Sequence, residues 1–123
     1  MKIFLYSIFL LILTGCYYDS EEALYGKPSS GCNTVVTNFS TEVKPILSAN
    51  CLSCHSNLAA NSSGGGIKLQ DYTDVKNSVT NGQLMGTIQQ SSSYPAMPKG
   101  GGKLSDCNIL VINTWISRGA LNN

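Results

Sequence analysis

The chain has 123 residues, with eight basic and seven acidic side chains, a single histidine and five cysteines. A balance this close to neutral lacks the basic stripe that nucleic-acid binding requires. The length allows one small domain, and a domain of that size buries a thin core unless a crosslink or a bound group adds to it.

The opening stretch MKIFLYSIFLLILTGC has a lysine at position 2, an apolar run from Ile3 to Leu13, and the small residues Thr14 and Gly15 ahead of Cys16. This is the layout of a signal peptide, and the run is too short for a spanning helix, which needs about 20 apolar residues. LTGC resembles the lipobox of bacterial lipoproteins. The resemblance implies cleavage before Cys16, lipid on that cysteine, and a home in the cell envelope of a gram-negative bacterium. Tyr17, rather than aspartate, follows the cysteine and implies the outer membrane. Residues 16–30, with the acidic cluster Asp19, Glu21 and Glu22 followed by Gly, Pro and Ser, then read as a polar tether. The domain proper is expected over 31–123.

Past the tether, Cys32 and Cys107 stand apart from the closely spaced Cys51 and Cys54. In an oxidising compartment they are expected to pair as a disulfide. Between them, Phe39, Val43, Ile46, Leu47 and Cys51 recur at helical spacing, with Asn38 or Ser40 as cap and Pro45 near the first turn. AANSSGGGIKLQ reads as a flexible loop. Asp71 to Val79 and Gln83 to Gln90 read as two short helices broken at Asn81-Gly82, and SSSYPAMPKGGGK as a shaped loop. The last helix runs from an N-cap at Ser105 to Gly119, with Arg118 in its last turn. Cys107, Leu110, Val111 and Trp115 share one face, which Ile109, Ile112 and Ile116 widen. No stretch alternates as a strand would. The expectation is an all-α domain of about four helices, with its first and last helices packed together and its loops closing over a site.

The site is expected at NCLSCHS, where Cys51, Cys54 and His55 fall within five positions. One helical turn of C-x-x-C presents two thiols along one edge of a flat macrocycle, and the next residue lies beneath its centre. That is the attachment pattern of c-type haem. A zinc site would need a fourth ligand, and the chain has no second histidine and no second C-x-x-C. Cu(I) suits sulfur but does not explain why His55 adjoins Cys54. A thioredoxin-like dithiol belongs on a βαβ pattern that is missing here.

A second axial ligand cannot be histidine. Met85 and Met97 are the thioethers left after cleavage; Met85 fits a helical face, whereas Met97 lies in a loop stiffened by Pro95 and Pro98. CLSCH, MPKGGGKL and a closing helix with Trp115 together resemble a class I cytochrome c domain from about Phe39 onward, and the lipobox makes the whole similar to small monohaem lipoprotein cytochromes. The resemblance implies one covalent haem c on Cys51 and Cys54, His55 and Met97 on the iron, and single-electron transfer to transient redox protein partners, with neither a reaction nor a small-molecule substrate of its own. An open sixth position would instead suit a haem enzyme or gas sensor, and a permanent partner a fixed relay in a membrane complex. Lys99 and Lys103 flank the Met97 loop, where they could steer an acidic partner. Trp115 and Tyr94 are amphipathic and equally suited to a cofactor edge or to the core.

Overall fold

The computed structural model describes residues 32–123. The signal peptide, the lipid site at Cys16 and the tether over 16–30 lie outside the described residues. Among those described, the chain is all helical, with no strand, and no helix is long and apolar enough to cross a membrane.

A π-helical turn over Phe39–Val43 runs directly into α1, Lys44–Asn50. The widened turn has a local cause in Pro45, whose ring would crowd the carbonyl of Thr41 in an ordinary α-helix. Val43 and Lys44 instead donate five residues back, to the carbonyls of Asn38 and Phe39. Neither expected cap acts through its own side chain on the helix start. The turn is closed from two other directions. Glu42 accepts from the Asn38 amide at 2.7 Å, and Asn123 accepts from the amides of Phe39 and Ser40 through its side-chain and main-chain oxygens.

After a kink at Cys51 come two single turns, α2 (Leu52–His55) and α3 (Ala60–Ser63), then α4 (Tyr72–Thr80), α5 (Gln83–Ile88) and α6 (Asp106–Ser117). Among the described residues, six helices thus replace the four or so expected. The two extra ones are four residues each, too short to show a 3.6-residue period, and α3 lies inside the stretch expected to be a flexible loop.

The core forms where α6 crosses the π-helical turn. Phe39 is the hub, with its ring edge-on to Tyr72 at 5.2 Å and tilted against Trp115 at 5.5 Å. Val43, Leu47, Val75, Leu84, Ile88, Ile112 and Trp115 fill the space around it. On α6 the buried residues are Ile109, Val111, Ile112 and Trp115, while Cys107 and Leu110, expected on the same face as Val111 and Trp115, are half-buried. The Ser105 side chain accepts from the Asn108 amide as a cap should.

Beyond Gly119 the chain folds back and is held by three side chains. Trp115 donates to the Leu121 carbonyl at 2.9 Å, Tyr72 to that of Ala120 at 2.9 Å, and Lys76 to that of Gly119 at 2.7 Å. Trp115 is therefore core, with its one polar atom satisfied internally. Arg118 donates to the Val35 carbonyl and the Thr37 hydroxyl, pinning the segment that precedes the first helix.

Cys32 and Cys107 form a disulfide, so the same segment is also fastened covalently to the start of α6. The bond closes a loop of 75 residues, which in the chain-entropy model stabilises the fold by about 4 kcal/mol. Replacing both cysteines by serine is expected to remove about that much. Comparing denaturant midpoints of the two proteins at equal slope checks it.

Candidate functional site

Helix α1 delivers the chain to the kink at Cys51, whose φ of −125° turns the next residues out of line. The turn that follows is regular. Cys51 donates to the Leu47 carbonyl, and Cys54 and His55 both donate to the carbonyl of Cys51. A single backbone turn, anchored to a helix whose Leu47 is buried in the core, thus sets the relative positions of both thiols and the imidazole. Neither thiol is in a disulfide.

His55 is held from the opposite side by the loop after α3. Its Nδ1 lies 2.9 Å from the Ile67 carbonyl, and its own carbonyl accepts from the Leu69 amide at 2.9 Å. A carbonyl only accepts, so Nδ1 is the donor, and in the neutral ring Nε2 carries the lone pair. This is the arrangement in which an imidazole is oriented and made more basic toward a metal. The loop can come this close because residue 64 is glycine. A Cβ there would stand 2.5 Å from the Cys54 carbonyl oxygen and 2.9 Å from His55 Nδ1, closer than real contacts allow.

On the far side, the loop between α5 and α6 brings Met97 to the same cleft. The Met97 amide donates to the Thr87 carbonyl at 3.1 Å, tying the loop to the end of α5. Cys51, Cys54, His55 and Met97 all line one cavity of about 280 Å³ that opens to solvent. Its walls are otherwise largely apolar, with Ile67 and Leu69 on the histidine side and Leu84, Ile88 and Leu104 opposite. Lys99 stands at the mouth and is exposed, whereas Lys103, exposed as well, does not line the cleft.

Other residues weighed from the sequence fall elsewhere. Met85 packs against the core and does not line the cleft, in keeping with its helical-face reading. Tyr94 lies against α5, on Gly86. Arg118 faces the Val35 segment, away from the cavity. Among the described residues, no three His, Cys, Asp or Glu side chains converge to hold a metal ion by themselves. Sequence reasoning misses the carbonyl of Ile67 and the absent side chain at Gly64. The Gly64-Gly65-Gly66 run is the only signal pointing there, and by itself it reads as flexibility.

Burial in this apolar wall raises the Cys51 thiol from its ordinary value of 9.0 to about 11. With its thiols free, the unfolded chain ionises Cys51 near the lower value and the folded chain near the higher one. The residue's contribution to stability is therefore complete below about pH 9 and is lost as pH rises to about 11. Stability measured against pH across that window should fall more steeply for the wild type than for Cys51→Ala. No family model, curated protein or solved structure matches the chain.

Proposed function

We propose that the chain is a monohaem c-type cytochrome of the bacterial cell envelope, built on a small cytochrome c-like fold, that carries single electrons between transient redox partners. The observation that carries this reading is that Cys51, Cys54, His55 and Met97, which are 46 positions apart at their extremes, line one apolar cleft. The donor set suits the group. Two free thiols on one helical turn match a pair of thioether attachments, and His55 has its Nε2 available with the ring already oriented. The lack of a three-ligand cluster among the described residues does not conflict with this, since a porphyrin supplies four nitrogens and asks the protein only for axial ligands.

Bound haem supplies a one-electron iron couple. The protein's part is to set its environment. An imidazole and a thioether ligand, in a cleft walled by Leu84, Ile88 and Leu104, would disfavour the extra positive charge of the ferric state and favour a positive potential. His55 and Met97 would together hold the group and leave no position open to a small molecule. The open mouth at Lys99 leaves an edge for the small, short-lived encounters typical of electron transfer. Arg118, the chain's single arginine, is engaged with Val35 and Thr37, so the cleft has no arginine to assist peroxide cleavage.

In protein matured with a haem-attachment system, the wild type should show a low-spin ferrous spectrum and a weak ferric band at the red end. Met97→Ala should lose that band, bind carbon monoxide rapidly and show a lower potential. A wild type that is already high-spin and binds carbon monoxide as fast as the variant would replace the carrier with an open-iron enzyme or sensor.

A further inference from the structure

The loop that carries Met97 is tied to α5 at a second point, three residues before the methionine. Tyr94 lays its ring on α5 at Gly86, with its hydroxyl reaching Gly82, the residue that precedes the helix. A Cβ built on Gly86 would stand 2.3 to 2.5 Å from three ring atoms of Tyr94, and one built on Gly82 would stand 3.0 Å from its hydroxyl oxygen. The ring therefore occupies the volume that a side chain at Gly86 would take, and its hydroxyl reaches Gly82, whose left-handed φ of 77° calls for glycine by itself. Gly86 is buried, and Tyr94 is half-buried against it although its loop neighbours Ser93, Pro95 and Ala96 are exposed.

Helix propensity alone would favour alanine over glycine at position 86. Glycine there makes sense if the seat for the ring is worth more than the propensity. Next along the loop, the Met97 amide donates to Thr87, the residue after Gly86. The two attachments, one a ring on a helix face and one a hydrogen bond, act on the same turn of α5 and leave little freedom to the residues between them.

We propose that Tyr94 is the positioning residue for Met97: seated on Gly82 and Gly86, it holds the ligand loop closed over the cleft and so sets how readily the sixth position opens. This rests on the reading of Met97 as an axial ligand. An added ligand such as imidazole must displace the methionine, so its apparent affinity scales with the fraction of molecules whose loop is open. Loosening the clamp raises that fraction without touching iron, porphyrin or His55.

The test is imidazole titration of the matured ferric protein, with the red-end band recorded alongside, for wild type, Y94F, Y94A, G86A and G86A/Y94A. Y94F keeps the ring and should match the wild type. In Y94A and G86A the band should weaken and imidazole should bind about tenfold or more tightly. The double variant should bind no more tightly than Y94A, because the methyl group added by G86A has no ring left to displace. Should Y94A fail to mature, G86A, with the ring present but unseated, decides the matter by the same two readings. A band and an imidazole affinity unchanged from wild type in both single variants would overturn the positioning role while leaving Met97 as ligand. A wild type with no such band would overturn the ligand reading and this proposal together.

Discussion

The hydrogen bond between His55 Nδ1 and the Ile67 carbonyl is the constraint on which the cleft depends. It exists because the chain after α3 returns within contact distance of the turn that holds the two thiols. That return requires a residue without a Cβ at position 64. Once made, the bond settles where the imidazole proton sits and which nitrogen is left to act. It also joins the two sides of the sequence around the turn, since Leu69 donates to the His55 carbonyl and then enters the core. One polar contact thereby links the chemistry of the site to the packing of the domain.

The rest of the fold serves to hold this turn still. Cys51 to His55 would be a free loop in a short peptide; here it continues α1, whose Leu47 is fully buried and accepts the first hydrogen bond of the turn. Helix α1 is in turn held by the π-helical turn and by α6 across Phe39 and Trp115. The disulfide at Cys32 and the Arg118 bonds to Val35 and Thr37 fasten the incoming segment to the same helix. Of the two walls of the cleft, the one carrying His55 is fixed by backbone hydrogen bonds. The one carrying Met97 is a loop tied to α5 by the Met97 amide on the Thr87 carbonyl and by the Tyr94 ring on Gly86.

Features written in consecutive residues are legible without the structure. The four longer helices follow from apolar spacing, the Ser105 cap and Gly119 stop from local chemistry, and the Cys32–Cys107 pairing from separating those two cysteines from Cys51 and Cys54. Met97 is distinguishable from Met85 because two prolines mark it as a loop residue, and the structure puts Met97 in the cleft and Met85 against the core. What escapes has no one-dimensional signal. The π-helical turn is a response to Pro45 within a helix that starts after Asn38, one of its two expected caps. α3 is a single turn without a period. Gly64 and Gly86 look like breakers or propensity defects in sequence, yet each is required by a group distant along the chain, the Cys54 carbonyl in one case and the Tyr94 ring in the other.

The most direct test of the central claim is the mass of the denatured protein after expression with and without a haem-attachment system, for the wild type and for Cys51→Ser/Cys54→Ser. The wild type should gain the mass of one haem, which survives acid extraction, and the variant should remain bare polypeptide. A wild type that keeps the bare polypeptide mass, with Cys51 and Cys54 still open to alkylation, would contradict it.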